Sequence, residues 1–345
     1  LHILHAGKDL AEDEARVAAL SLAEPETSDD AKYALLSALA DKGETVDEIA
    51  VFAETFRGLA RRPSPLILER ADEAIDFVGT GGDGSGAFNI STEVCFILAA
   101  SGVPVIKHGN RGATSPSGSA DLLDALGVPL EADDGTLSRS LAELNFCFLF
   151  ARAFHPAFQY IAPVRARLAE DGKRTIFNIL GPLINPARPL QQVLGVYGAH
   201  LVEPLADALN RIGIRRGLVV HGMTGATRGI DKFSTAGNNF VSGVGALKDL
   251  LTHYQPEDFG FETADAEALR GGTAEENKEM LYRIFDNEGP RALADTICLN
   301  AGAGLWVMRR AENIAEGVGV ARELIGSGAA RAWMENARAF YRDRA

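Results

Sequence analysis

Apolar residues in this chain come in two patterns. Ile75 to Val78, Val103 to Ile106 and Phe146 to Phe150 are short unbroken apolar runs, the length of buried strands. Ala31 to Leu39 and Ile49 to Leu59 instead repeat at helical spacing, and Thr45-x-x-Glu48 forms a capping box ahead of the second. Lys42-Gly43-Glu44 makes the turn between them, so residues 8 to 62 read as helical, closed by a linker at Arg61-Arg62-Pro63-Ser64-Pro65. Beyond the linker, strand and helix patterns alternate. Val193 to Tyr197 and Gly217 to His221 flank a helix from His200 to Ile212, which fits a βαβ unit. Helices are predicted at Val94 to Ala100, Ala120 to Leu126 and from His155-Pro156 to about Leu168. Three more, over 274–285, 290–309 and 315–344, are expected to pack on the sheet. The pattern is that of a helical segment followed by an α/β domain.

Two strand-helix junctions depart from ordinary turns. After Ile75 to Val78 come Gly79, Gly81, Gly82 and Gly84, with Gly86 close behind. Glycine there permits positive φ or close approach of backbone to a ligand. Asn89, Ser91 and Thr92 stand where a helix cap is expected, with Glu93 in the first turn. After Val103 to Ile106 come Lys107-His108-Gly109-Asn110-Arg111 and a run of small residues from Gly112 to Ser119. Each loop opens a helix, so free N–H groups and the positive end of a helix dipole converge. Two such loops with Lys107 and Arg111 between them suit a ligand carrying more than one phosphate; the plainer reading is a pair of tight turns.

Composition narrows the class. The 345 residues are 46% hydrophobic, ample for a core, and no apolar run reaches the ~18 residues of a membrane helix. Net charge is −13, so general nucleic-acid binding is not expected, although a local basic pocket is compatible with it. Cys95, Cys147 and Cys298 lie in apolar stretches outside any C-x-x-C pair, which points to buried free thiols in a reducing cytoplasm and gives no support to a zinc site. Leu1 to Gly7 lacks the marks of a signal peptide.

The stretches GTGGDG…FNIST, KHGNR and SPSGSADLLDALG resemble the anthranilate phosphoribosyltransferase family, as do FHPAF…APVR (Phe154 to Arg165) and RTIFNILGPLINP (Arg174 to Pro186). The similarity keeps its order over nearly the whole chain. It implies a small helical N-terminal domain, residues 1–65 completed by part of 155–190. A larger α/β domain with a central sheet, residues 66–345, follows, in the nucleoside-phosphorylase/phosphoribosyltransferase-like class. It also implies a cytoplasmic homodimer, joined through the helical domain, that makes a tryptophan precursor. The reaction would join the amine of anthranilate to the ribose of phosphoribosyl pyrophosphate (PRPP), with Mg²⁺ as cofactor and pyrophosphate as leaving group. No catalytic acid or base is expected, because an aryl amine is uncharged near neutral pH; the work is positioning and stabilising a leaving anion.

Carried over motif by motif, Gly79, Gly82, Asp83, Asn89, Ser91, Thr92, Lys107 and Ser119 fall on PRPP positions. Asn110, Arg165, Gly79, His108 and His155 fall on anthranilate positions. Four have a plain alternative: Ser91 as a helix cap, Arg165 as a surface arginine like Arg167, the two histidines as structural. Ala87 stands where the family often has a polar residue. Ser91 and Asp231 match metal positions, but Lys232 stands where the family usually has a second acid, and Ser234 to Asn239 replaces its usual turn. Lys232 either points into the site and supplies part of the metal's charge, or turns to solvent and leaves a weak metal site at Asp231. The alternative function is a divergent relative: one that binds PRPP or nucleic acid without catalysis, acts on another acceptor, or cleaves pyrimidine nucleosides.

Overall fold

The computed structural model describes residues 1–112, 116–225 and 227–342. Four helices open it: α1 (His2–His5), α2 (Glu12–Ala23), α3 (Asp29–Lys42) and α4 (Val46–Leu59). The capping box forms as the sequence predicts, Thr45 Oγ1 accepting from Glu48 N at 3.2 Å and Glu48 Oε2 from Thr45 N at 2.8 Å. Glu48 is fully buried and also takes the Lys42 ammonium at 2.8 Å, so one carboxylate fixes the turn from α3 into α4.

The chain continues through α5 (Pro65–Arg70) into a sheet of β1 (Ile75–Gly79), β2 (Val105–Gly109), β3 (Phe146–Phe150), β4 (Gln191–Gly195), β5 (Arg216–Met223), β6 (Gly229–Ile230), β7 (Asn239–Gly245) and β8 (Leu251–Tyr254). Spatial order is β3-β2-β1-β4-β5-β7-β8, with β6 beside β5. The first five run parallel; β7 and β8 run antiparallel at one edge. Strand order reverses at β1, which has β2 on one side and β4 on the other. Connections leaving the two sides of such a strand part from each other and open a crevice at its C-terminal end.

Between the strands lie α6 (Ile90–Ala100), α7 (Ser119–Ala125), α8 (Asp134–Leu144), α9 (Ala151–Phe154), α10 (Ala162–Glu170), α11 (Phe177–Leu180) and α12 (Val202–Arg211). Then α13 (Ala274–Phe285), α14 (Arg291–Val307), α15 (Ile314–Gly326) and α16 (Ala329–Arg342) complete the chain. One core joins α6 and α14–α16 to one face of the sheet through Phe77, Phe96, Leu98, Val220 and Ile297. The other joins Leu22, Leu39, Phe52 and Phe56 of the N-terminal helices to Leu168, Phe177 and Leu183, and reaches Leu194 and Val219 on the sheet.

Several elements differ from the expected ones. The second strand begins at Val105 and runs through Lys107 and His108, which therefore point from a strand and not from a loop. After His155 comes a 3₁₀ turn, Pro156–Tyr160, and the helix proper starts at Ala162 with Pro163 in its first turn. Proline has no N–H to spare for a preceding helical turn, so one helix becomes two pieces. The stretch 315–344 is also two helices, broken at Gly328, whose φ of +78° no helix admits; residues 343–344 of that expectation lie outside the described residues. Strands β6 to β8 give no clear alternating signal and were not anticipated.

Candidate active site

The crevice at the end of β1 is built first from glycine. Gly81, Gly82, Gly84 and Gly86 all hold φ between +60° and +73°, the left-handed region where a side chain is strained. Gly79 and Gly195, which end β1 and β4, need glycine for a different reason: a Cβ on either would run into Asp231. Asp231 therefore sits across the ends of two adjacent strands. Its Oδ2 accepts the N–H of Gly81 at 2.8 Å, and its own N–H donates to Asp83 Oδ2 at 3.1 Å. The other Asp83 oxygen takes Ser85 N and Oγ at 3.0 and 2.8 Å. The first glycine loop is thus tied to the segment after β6 by reciprocal bonds.

Lys232 completes this arrangement. It is 8% exposed, and its Nζ lies 2.5 Å from Asp231 Oδ1 and 3.9 Å from Asp83 Oδ2. Of the two orientations open to it, Lys232 takes the inward one. Burial alone would lower its pKa, but the two carboxylates outweigh that and raise it, so it is charged at neutral pH. Burial likewise pushes Asp83 up, and Lys232 with the Ser85 bonds brings it below its ordinary value. Asp231 stays raised, by burial and by Asp83. Both Asp231 oxygens are already engaged, one by an ammonium. A divalent cation does not fit there without displacing Lys232. Among the described residues, no three His, Cys, Asp or Glu side chains are grouped to hold a metal.

The second loop is stapled to the first. Asn89 precedes α6 at the cap position, but its side chain makes no cap bond. Instead Asn89 Nδ2 donates to Ser117 O at 3.2 Å, and its Oδ1 accepts from Ser117 Oγ at 3.1 Å and Asn277 Nδ2 at 2.7 Å. Ser91 and Thr92 stand in the first turn of α6, Ser91 half-buried and Thr92 buried. Ser119 begins α7 and donates to Asn110 O at 3.3 Å. Residues 113–115 of the small-residue run lie outside the described residues. The expectation that Lys107 and Arg111 both stand between the loops needs correction. Arg111 is held by Asp121 and Asp124, each at 2.8 Å, so its charge is already compensated. Lys107 is 2% exposed, with Nζ donating to Phe77 O in β1 at 2.9 Å. It lies beneath the strand and not in the open loop.

The acceptor positions gather on the other side of β1. His108 lies one residue before the end of β2 and His155 precedes the turn before α10; their rings are 5.0 Å apart. His155 stacks on Phe158 at 5.2 Å, Phe158 meets Phe177 at 5.7 Å edge-on, and the guanidinium of Arg165, whose pKa burial lowers although the residue as a whole is exposed, lies 5.7 Å from the Phe177 ring. This is an aromatic row with one cation at its outer end. His108 Nδ1 is 3.3 Å from the carbonyl of Gly181, which only accepts, so Nδ1 carries the hydrogen and Nε2 is left as an acceptor. The Nε2 atoms of both histidines are buried without a partner. Burial pushes His108 down to about 3, helped by His155, and His155 to about 4. Both rings are neutral at physiological pH. Asn110 is exposed beside them, its Oδ1 accepting from Arg111 N at 2.9 Å. Arg167 faces outward to Asp30 at 2.7 Å.

Other residues belong to this crevice without having been singled out. Arg174 Nη2 donates to Gly82 O at 2.7 Å and its guanidinium lies 4.0 Å over the Tyr197 ring, so it grips the glycine loop from the acceptor side. Arg174 stands in the RTIFN stretch, which was the available signal. Phe158 and Phe177 also stand in quoted stretches, FHPAF and RTIFN, but apolar spacing assigns phenylalanine to the core; Asn277 had no local signal.

This combination of a crevice at a strand-order reversal, paired loops ready for an anion and an apolar slot beside them is that of a phosphate-handling transferase. The chain matches the glycosyl transferase family, its a/b domain over residues 71–331 and its helical bundle domain over residues 1–60. Anthranilate phosphoribosyltransferase from Thermus thermophilus is 45% identical over 97% of both chains. That from Petrotoga mobilis is 42% identical over 95% of this chain and 92% of its own. The solved Thermus thermophilus structure superposes with a TM-score of 0.88, at 43% identity over 99% of this chain and 98% of its own. The Saccharomyces cerevisiae enzyme in complex with PRPP and Mg gives 0.83 at 25% identity over 96% of this chain and 92% of its own. The chain belongs to the anthranilate phosphoribosyltransferase family.

The buried histidines generate a pH prediction. His108 has a folded pKa below its ordinary 6.5, so the native state binds fewer protons than the unfolded chain as pH falls. That contribution to stability is present above 6.5 and is lost toward 3, at roughly 1.4 kcal/mol per pH unit. Asp76, raised to about 6 by burial, and Glu93, raised by burial, act with the opposite sign. They cancel when His108→Gln is compared with its parent. Urea unfolding at pH 7.5, 5.5 and 4.5 should show the variant gaining on the parent at each step below 6.5; a difference constant with pH would mean that His108 is solvated.

Proposed function

We propose that the chain transfers the phosphoribosyl group of PRPP to the amine of anthranilate, forming N-(5-phosphoribosyl)anthranilate and pyrophosphate. The observation that carries this reading is the meeting of two unlike half-sites across β1: glycine loops offering N–H groups, and an aromatic row ending in Arg165. The loops, with Gly79, Gly82, Asp83, Asn89, Ser91, Thr92 and Ser119, take PRPP. Lys107, beneath β1, adds positive potential from behind. The row takes anthranilate, its ring beside Phe158 and Phe177 and its carboxylate toward Arg165. Neutral His108 accepts a hydrogen bond from the amine through Nε2, which aims the nitrogen lone pair away from that bond and toward the ribose. The N–C bond forms as the C–O bond to pyrophosphate breaks, and the amine proton leaves to solvent. The Ser91 hydroxyl would hold a magnesium ion arriving with PRPP, which would supply charge stabilisation for the leaving group. Anthranilate phosphoribosyltransferase of Saccharomyces cerevisiae has been solved with PRPP and Mg, and with 4-fluoroanthranilate, which supports both halves.

We take residues 1–65 with part of 155–190 as the helical domain and expect a cytoplasmic homodimer formed through it. Val17 and Leu20, exposed on α2, give that domain apolar surface for a partner, and the three free buried thiols suit a reducing compartment. Light scattering at micromolar concentration should give twice the chain mass; a monomer would end this part of the proposal.

Turnover of PRPP with anthranilate, run beside thymidine with phosphate, tests the activity itself: product is expected from the first pair alone. Within that assay, Arg165→Ala should raise the anthranilate KM far more than the PRPP KM. Loss of a charged, two-bond carboxylate contact is worth about 2–3 kcal/mol. Equal effects on both substrates would reassign Arg165 to structure.

Lys232 sets the metal requirement. We propose that its ammonium is the fixed cation that faces the pyrophosphate, in the place a second magnesium would take. The support is its burial between Asp83 and Asp231, where both carboxylates keep it charged. Manganese bound per protein in the PRPP complex, counted by paramagnetic resonance, should be one for the parent and two for Lys232→Glu. The initial rate should also depend more steeply on free Mg²⁺ in the variant. The same count and the same curve for both proteins would remove Lys232 from metal handling.

A further inference from the structure

At the opposite end of the sheet from the glycine loops is a second cavity, of about 270 Å³. It lies beside the start of β4 and β5, so the length of β4 separates it from the crevice, roughly 15 Å at a strand's rise per residue. Its walls come from both parts of the protein. Glu54 and Arg57 belong to α4, Arg188 leads into β4, and Ile212 and Ile214 lie between α12 and β5.

Arg57 is 8% exposed, and its Nε has no hydrogen-bond partner. Arg188 shares the cavity and is exposed. Among the described residues neither arginine forms an ion pair, although the chain carries net charge −13 and Arg211, next to Ile212 of the cavity wall, is matched by Asp47. The two guanidinium groups repel each other, and the acids that offset them, Glu54 and buried Asp76, act without contact. A buried cation with no partner costs several kcal/mol. Arg188 also holds φ at +56°, a strained conformation for a residue with a side chain. Strain and an unpaired buried charge at the same cavity are what remains when a ligand completes a site.

We infer that this cavity binds a small organic carboxylate with an apolar body. A carboxylate meets two guanidinium groups in the geometry they favour, and Pro189, Leu190, Ile212 and Ile214 offer the apolar wall. The volume is just below the ~300–1,000 Å³ of sites for drug-sized ligands, so the ligand is small. Bound there, it links α4 to the start of β4 and β5 and stiffens the junction between the helical part and the α/β part. This site is separate from the transfer reaction, and its test does not depend on activity.

The probe is 4-methylpentanoate, titrated calorimetrically at constant ionic strength against the parent and against Arg165→Ala, which removes any binding in the acceptor slot. Both should bind it equally. Arg188→Gln, an exposed change that leaves the fold intact, should weaken binding about ten-fold or more, the worth of a charged hydrogen bond. Arg57→Gln should weaken it at least as much. No heat in the parent, or affinity unchanged in Arg188→Gln, overturns the assignment. Inorganic phosphate also has the glycine loops to bind, so only its Arg188-dependent part counts: phosphate affinity that falls in Arg188→Gln as far as the carboxylate's does would overturn the assignment too, since the apolar wall would then have no part.

Discussion

The crevice depends on one carboxylate. Asp231 spans the ends of β1 and β4, holds the Gly81 N–H and is bonded through its own N–H to Asp83. Gly79 and Gly195 lack side chains because Asp231 occupies that space. A glycine-rich loop without such an anchor is costly to order, since glycine loses the most backbone freedom on folding. Here the contacts from Asp231 lie within the protein and offset part of that cost. Lys232 offsets the repulsion between buried Asp231 and part-buried Asp83. Removing its charge would leave Asp83 and Asp231 facing each other in a low-dielectric pocket.

The two halves of the crevice differ in electrical character for a physical reason. The loop side holds N–H groups, a charged lysine and the ends of helices, all suited to phosphate. The acceptor side holds two imidazoles that burial keeps neutral, phenylalanine rings and one exposed arginine. Neutral rings would accept a neutral aryl amine, the proposed acceptor, at no cost in charge burial. Arg174, bonded to Gly82 O and stacked on Tyr197, joins the two sides mechanically. Asn89 does the same for the two loops and α13.

The local elements were legible because their signals are local. Short apolar runs bounded by glycine, the Thr45–Glu48 box and the glycine cluster each fix a backbone conformation within a few residues. Lys232 was legible too, as a basic residue where the family pattern has an acid. Partnership was not legible. Arg111 looked like a free cation, and only the fold brings Asp121 and Asp124 against it. Lys107 looked like a loop residue, and only the extent of β2 turns it beneath β1. Proline and Gly328 broke two expected helices by known rules, because a helical period runs on through a breaker that the backbone cannot accommodate.

By itself, then, the sequence determined the order of strands β1 to β5 with the helices between them, the two glycine loops and the family, because each rests on residue type at short spacing. The tertiary structure alone decided which charges meet. Asp83, Asp231 and Lys232 come together from segments about 150 residues apart, and Arg57 meets Arg188 across the junction of helices and sheet. Burial and electrostatic partnership are properties of distance in space, and a linear chain does not carry them until it is folded.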